Sequence, residues 1–185
     1  AGGWRLGVAL VPRSLGSTFK QALLGIGSET YSTAASPVQK ASITAFSDES
    51  IHSFIKHQRS ILSALGTWAA NTLRDAGIKV HSPEGGFYLF PDFSDLSTQL
   101  APRGVTSSQT LCEALFKDKG VALLPGTAFG GGSEDRTARL AYVDFDGKAA
   151  IRAILVNNTP VDEAFLSTYC PNVVNGINAI VDWVK

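Results

Sequence analysis

The sequence predicts an α/β chain in two parts joined by one long helix, and three observations carry that prediction. A short apolar run at residues 6–11 is typical of a strand buried on both faces. Apolar residues recur at helical spacing over residues 51–76. Beyond Gly77 the pattern changes to short strands, turn-rich loops and helices. We therefore expect the end of one layered domain in residues 1–50, a bridging helix in residues 51–76, and a compact α+β domain in residues 77–185.

The first part is expected to hold two helices after its strand. Ser17 can cap a short helix, because its hydroxyl can accept a hydrogen bond from the first turn. Gly25 and Gly27 should stop that helix. After a loop, Pro37 suits the first turn of a second helix that reaches about Phe46, since its fixed φ is helical and its missing N–H is not needed there.

The bridging helix is expected to begin at the polar stretch of residues 47–50 and to end at Gly77. Gly66 interrupts its apolar spacing and costs about 1 kcal/mol relative to alanine in a helix interior. We therefore expect a bend at Gly66.

The second part is expected to alternate strands and helices. Runs of β-branched, aromatic and aliphatic residues predict strands at residues 78–81, 87–90, 121–124 and 138–143. Amphipathic spacing predicts helices at residues 107–119, 148–156 and 161–185, the last one broken near Pro171.

Composition excludes several classes of protein. Sixteen basic residues balance sixteen acidic ones, so no polyanion-binding surface is indicated and no nucleic-acid partner is expected. No apolar run approaches the roughly 20 residues that span a bilayer, so no membrane partner is expected. Cys112 and Cys170 are far apart and favour reduced core thiols, which indicates a cytoplasmic protein. No metal site is expected, because the histidines and carboxylates lack metal-ligand spacing.

Four short segments follow one another in a recognisable order. They are AGGWRLG at residues 1–7, GGFYLF at residues 85–90, LPGTAFG at residues 124–130 and the pair Arg139 and Leu140. Their order and spacing resemble the second half of a class I/II aminotransferase, a fold-type-I enzyme that uses pyridoxal phosphate (PLP). The resemblance implies that the first part ends the large PLP-binding domain and that the second is the small C-terminal domain.

Two arginines receive roles from this resemblance. A guanidinium can grip a phosphate or a carboxylate with two parallel hydrogen bonds. Arg5 lies between glycines just before an apolar run, and the resemblance implies that it holds the phosphate of PLP. Arg139 follows a glycine-rich loop, and the resemblance implies that it binds the α-carboxylate of the substrate. Arg136 lies within the loop, so we assign the carboxylate to Arg139.

Two further residues are expected at the substrate site. Gly86 belongs to a segment that resembles the border of the substrate pocket, where glycine lets the backbone approach a ligand closely. Tyr31 belongs to a loop that, by the same resemblance, reaches across a homodimer into the active site of the partner.

The same resemblance implies that the lysine forming the Schiff base with PLP lies a few residues before Arg5. None of the eight lysines precedes Arg5, so we expect a fragment that begins just after its catalytic lysine and is inactive alone. The intact enzyme is expected to be a homodimer that transfers an amino group between an amino acid and a 2-oxo acid.

Three alternatives remain open at this point. An aminotransferase-like domain can serve as the effector sensor of a transcription regulator, which a helix-turn-helix segment upstream would indicate. A PLP decarboxylase or lyase of the same fold fits the same segments, because the groups that set the reaction type are not among them. The chain could also be a self-sufficient α/β binding module, which cooperative unfolding without an exposed apolar face would favour.

Overall fold

The computed structural model describes residues 2–185, and the chain divides into two compact units. The first unit is Ala1–Ser53 and the second is Phe54–Lys185. The described residues form eight α-helices: α1 Gly16–Thr30, α2 Ser36–Ser47, α3 Ser50–Asp75, α4 Ser97–Leu100, α5 Ser108–Lys119, α6 Gly147–Asn157, α7 Glu163–Tyr169 and α8 Pro171–Val184. They also form three short strands: β1 Tyr88–Leu89, β2 Leu124–Pro125 and β3 Ala138–Ala141.

The predicted strand at residues 6–11 is absent, so that prediction was wrong. Residues 5–12 have no regular secondary structure, and the side chain of Leu10 is 91% exposed. A strand exists only when a neighbouring segment completes its backbone hydrogen bonds. None of the strand pairings in the described chain involves residues 6–11.

Helix α1 is longer than the sequence predicted. It begins at Gly16 without a side-chain cap, and it continues through Gly25 and Gly27 to Thr30. Glycine costs about 1 kcal/mol in a helix interior but keeps its backbone hydrogen bonds, so it does not by itself end a helix. At Gly27 a Cβ atom would lie 3.2 Å from the hydroxyl oxygen of Tyr31. That glycine therefore makes room for the tyrosine.

The next two helices confirm the predicted starts. Pro37 lies in the first turn of α2. Just before α3, Asp48 Oδ1 accepts hydrogen bonds from the backbone N–H and the hydroxyl of Ser50, at 2.9 and 2.6 Å. Gly77, two residues beyond the end of α3, has a φ of +83°, which ordinary side chains disfavour.

Helix α3 runs without interruption through Gly66, and close packing explains the glycine. A Cβ atom at this position would lie 2.7 Å from the hydroxyl oxygen of Tyr142 and 2.9 Å from Cγ of Pro83. Gly66 is therefore a contact point, where the absence of a side chain lets two other segments approach the helix.

The three strands form an antiparallel sheet in the order β1-β3-β2. Tyr88 lies opposite Ala141, and Leu124 lies opposite Arg139. The strands are shorter than predicted, and β2 begins only at Leu124, the last residue of the predicted strand at 121–124. The predicted strand at residues 78–81 contributes only an isolated bridge between Lys79 and Asp92.

The second unit contains an apolar core between α3, one face of the sheet and the C-terminal helices. Its fully buried large side chains include Ile61, Leu65, Leu73, Phe93, Leu111, Tyr142, Phe165, Ile177 and Ile180. The predicted cysteine state is confirmed, since Cys112 and Cys170 are free and buried. Burial raises the pKa of each thiol from 9.0 to about 11.

The later helices follow the predicted pattern, with their ends fixed by polar side chains. Ser107 caps α5 by accepting from the backbone N–H of Thr110, whose own hydroxyl accepts from the N–H of Ser107. Asp146 caps α6 by accepting from the N–H groups of Lys148 and Ala149, both at 3.0 Å. The break at Pro171 is confirmed, because α7 ends at Tyr169 and α8 begins at the proline.

Helix α8 is fastened at its end by a polar cluster. Arg103 donates to the carbonyl oxygen of Trp183 at 2.6 Å, and its guanidinium carbon lies 4.1 Å from the centroid of the indole. The indole N–H of Trp183 donates to Asp118 at 2.9 Å. The Trp183 side chain is thereby held between a cation and a carboxylate while it is only 3% exposed.

Candidate functional site

Arg139 occupies the central strand of the sheet. Its neighbours Ala138 and Leu140 point into the core, so Arg139 lies on the opposite face. The side chain is partly exposed. Among residues 2–185, no ion pair or hydrogen bond engages its guanidinium. The strand thus presents an available cation beside the solvent.

Two aromatic rings flank this cation. The guanidinium carbon of Arg139 lies 4.5 Å from the ring centroid of Tyr88 and 4.6 Å from that of Phe129. Phe87 and Phe90 extend the aromatic surface, the first at 4.4 Å from Tyr88 and the second at 6.1 Å from Phe129, measured between ring centroids. A cation near aromatic faces is attracted to them. We call Arg139 with these four rings the arginine-aromatic cluster.

The loop after β2 positions Phe129. Gly126 to Phe129 form a 3-10 turn, and the backbone N–H of Gly126 donates to the carbonyl of Thr137 at 2.9 Å. Ser108 on α5 accepts from the N–H of Thr127 at 3.3 Å. A Cβ atom at position 126 would overlap the hydroxyl of Thr137, so only glycine fits there. The loop is tied at one end to β3 and on one side to α5.

Gly86 lies two residues before Tyr88, in a turn with a φ of +68°. Its carbonyl oxygen accepts a hydrogen bond from the hydroxyl of Tyr142 at 3.3 Å. Burial raises the pKa of Tyr142, so this hydroxyl keeps its proton and remains a donor. No heavy atom lies within 4 Å of a Cβ built on Gly86, which leaves open space beside the turn.

Arg136 differs from Arg139 in having structural partners. Its Nε donates to the carbonyl of Val105 at 3.1 Å, and a second nitrogen donates to the carbonyl of Glu134 at 3.4 Å. These bonds tie the Arg136 side chain to the backbone at Val105 and Glu134 through two of its three guanidinium nitrogens. The guanidinium of Arg139, by contrast, makes no hydrogen bond with any residue in 2–185.

Arg5 lies in the first unit, directly after a 3-10 turn at residues 2–4. Its φ of +56° is in the left-handed region, which costs a non-glycine residue free energy. The side chain is exposed and has no hydrogen bond or ion pair with any residue in the described range. Gly3 and Gly7 have open space around them.

Tyr31 also lies in the first unit, where it follows α1 at the start of the predicted loop. Its side chain is 73% exposed and covers Gly27 of the preceding turn. The predicted site residues therefore fall into two sets. Gly86 and Arg139 lie in the second unit, close to the arginine-aromatic cluster, and Arg5 and Tyr31 lie in the first.

The sequence reasoning missed the direct contacts of Tyr88 and Phe129 with Arg139. A usable signal existed for Tyr88, because alternation in a strand places it on the face opposite buried Leu89. Phe129 carried no such signal, because its position depends on the shape of a 3-10 turn.

Other kinds of site find no support in the described chain. Among residues 2–185, no group of three or more histidine, cysteine, aspartate or glutamate side chains could hold a metal ion. Within the same range, no helix combines the length and the apolar character that crossing a membrane requires.

Comparison with known proteins identifies a family. The profile of the family "Aminotransferase class I and II" matches residues 1–144. The aspartate aminotransferase of Pinus pinaster is 34% identical over 147 residues, which cover 76% of this chain and 28% of that protein. An aspartate aminotransferase of Rhizobium meliloti is 31% identical over 136 residues, covering 69% and 30%. The chain thus spans less than a third of the length of these relatives.

Solved structures show the same fold. The aromatic aminotransferase of Pyrococcus horikoshii matches with a TM-score of 0.66 and 20% identity, over 99% of this chain and 39% of that one. The aspartate aminotransferase of Thermus thermophilus with maleate matches with a TM-score of 0.64 and 20% identity, over 100% and 38%. The predicted α/β class is confirmed at this level, although the described residues are mostly helical with one small sheet.

Proposed function

Because the chain belongs to the class I and II aminotransferase family, we propose that it is the C-terminal part of a PLP-dependent enzyme that transfers an amino group between an amino acid and a 2-oxo acid. The observation that supports the proposal best is Arg139, a guanidinium available on the exposed face of a central strand. In this proposal Arg139 binds the carboxylate common to both substrates through paired, charge-assisted hydrogen bonds.

The residues at the other proposed contact fit the cofactor. Arg5 is exposed and available, and the open space at Gly3 and Gly7 gives a phosphate access to the neighbouring backbone. In this proposal Arg5 holds the phosphate, as a guanidinium matches its oxygens well. When bound, PLP supplies the electron-withdrawing ring on which amino transfer depends.

The domain arrangement belongs to the same proposal. Residues 1–50 would end the large PLP-binding domain, residues 51–76 would be the bridging helix, and residues 77–185 would be the small domain. The intact enzyme would be a homodimer in which Tyr31 reaches the partner's active site. The high exposure of Tyr31 supports that role, because its ring is accessible to another chain.

The carboxylate role is tested by titrating pyruvate into the 185-residue chain and following binding by NMR. Replacing Arg139 by leucine should weaken binding about 10- to 150-fold, since a hydrogen bond to a charged group contributes about 1.5–3 kcal/mol. Arg59→Leu is the matched control, because Arg59 is an exposed arginine on α3. Equal affinities of the Arg139→Leu and Arg59→Leu variants would contradict the proposal.

The cofactor role is tested with PLP itself. We expect no stoichiometric visible absorption band from the 185-residue chain, because the family resemblance gives the covalent bond to a lysine that precedes Arg5. Even without a covalent bond, PLP should bind weakly through its phosphate. That weak binding should be lost in Arg5→Leu and kept in the control variant Arg13→Leu, since Arg13 is also exposed. A stoichiometric band that disappears when one of the eight lysines is replaced would contradict this assignment.

A further inference from the structure

We propose that Tyr88 and Phe129 are positioning residues, whose rings hold the guanidinium of Arg139 ready for a carboxylate. This inference rests on the proposed function, since it assigns the way in which the carboxylate-binding arginine is prepared. It gives individual roles to two residues that lie within the segments GGFYLF and LPGTAFG but received no role of their own from the sequence.

The guanidinium of Arg139 lies close to both rings. The guanidinium carbon of Arg139 is within 4.6 Å of both ring centroids, well inside the roughly 6 Å range of a cation–π interaction. An arginine side chain has several rotatable bonds and loses freedom when it grips a ligand. Holding it beforehand reduces that cost and so increases affinity.

The rings of Tyr88 and Phe129 are themselves held in place by their surroundings. Tyr88 belongs to a strand paired with β3, and its ring packs against Phe87. Phe129 ends a 3-10 turn that hydrogen bonds tie to Thr137 and Ser108, and its ring meets Phe90 edge to face at 86°. The orientation of the cation is therefore set by the backbone of the sheet and the loop.

The N–H groups of the Arg139 guanidinium are available to a ligand. The rings occupy space beside the guanidinium but accept no conventional hydrogen bond from it, so its N–H groups are not used by any residue in 2–185. A carboxylate could use two of them at once. Because Tyr88 and Phe129 are 43% and 46% exposed, the site stays accessible while the rings exclude some water from the cation.

The test uses the 185-residue chain and two NMR readings, the shift of the Arg139 Nε proton without ligand and the Kd for pyruvate. Ring-current shielding should shift the resonance of the Arg139 Nε proton away from the chemical shift that it has in the unfolded chain. Tyr88→Leu and Phe129→Leu should each reduce that shift and weaken pyruvate binding about 2- to 5-fold, as expected for exposed cation–π contacts. Tyr88→Phe keeps the ring and should stay within about 2-fold of wild type. Circular dichroism confirms that each variant is folded.

The outcomes separate this inference from the proposed function. If both leucine variants bind pyruvate like wild type while Arg139→Leu does not bind, the positioning role is wrong and the carboxylate role stands. If Arg139→Leu binds like wild type, or wild type does not bind, the carboxylate role fails and the positioning role fails with it. The positioning role is also wrong if the Arg139 Nε proton of the ligand-free wild-type chain has the same chemical shift as in the unfolded chain.

Discussion

The two units of the chain differ far more in burial than in hydrophobic character. Among residues 3–53, only Gly27 is buried. Large apolar side chains are exposed throughout that stretch, at Trp4, Val8, Leu10, Leu15, Phe19, Leu23, Leu24, Ile26, Tyr31, Ile43 and Phe46. In residues 54–185 the same residue types form a continuous core. Hydrophobic periodicity therefore indicates which face of an element can be covered, and the surface that covers it must come from tertiary structure.

The largest expected effect compares one leucine from each unit. Leu65→Ala should lower the free energy of unfolding by about 2–5 kcal/mol, because Leu65 is fully buried and the change leaves a cavity. Leu24→Ala should change it by less than about 0.5 kcal/mol, because Leu24 is 60% exposed. Urea unfolding followed by circular dichroism measures both. Similar losses would show that Leu24 is covered in solution.

The two cysteines test whether the core of the second unit is closed. Their pKa rises from 9.0 to about 11, so at pH 8 the folded chain should contain about 100-fold less thiolate than unfolded chain. Alkylation by iodoacetamide should be slowed at least in that proportion and should recover in urea. The stability that these raised thiol pKa values contribute to the folded state is fully present below pH 9 and should be lost as pH rises through 11. Equal alkylation rates with and without urea would contradict a closed core.

Local signals predicted the helices better than the strands. Pro37 and the polar stretch of residues 47–50 each mark a start that the structure shows, because proline geometry and side-chain capping act within one turn. The strand at residues 6–11 failed, because a strand depends on a partner segment that its own sequence cannot supply. The prediction that Gly25 and Gly27 end the first helix was wrong for a different reason, because helix propensity is only a weak preference.

A third prediction concerns Gly66 in the second unit. Gly66→Ala should destabilise the chain by about 1–3 kcal/mol, although alanine is the better helix former, because its Cβ would clash with Tyr142 and Pro83. Thermal unfolding by circular dichroism measures the loss. A rise in stability would mean that these neighbours move aside easily.

The smallest effect comes from the matching glycine of the first unit. Gly25→Ala should stabilise α1 by up to about 1 kcal/mol, because no heavy atom lies within 4 Å of the added Cβ. The same substitution thus has opposite signs at positions 25 and 66. A loss of stability in Gly25→Ala, measured in the same way, would indicate that another surface packs closely against α1.

The site shows a similar division between local and tertiary information. The choice of Arg139 over Arg136 came from motif order, and its role in binding remains a prediction. Only tertiary structure reveals that Arg136 is engaged by backbone carbonyls and that two rings flank Arg139. The ring contacts depend on strand register and on the path of one glycine-containing turn.

The cluster around Trp183 has an optical consequence. Indole emission shifts to shorter wavelength in apolar surroundings and responds to nearby charges. Trp183 is buried between a guanidinium and a carboxylate, whereas Trp4 is 59% exposed. The half-buried Trp68 also lies in the second unit, so the spectrum should contain a red component from Trp4 in the first unit and a component at shorter wavelength from Trp68 and Trp183 in the second.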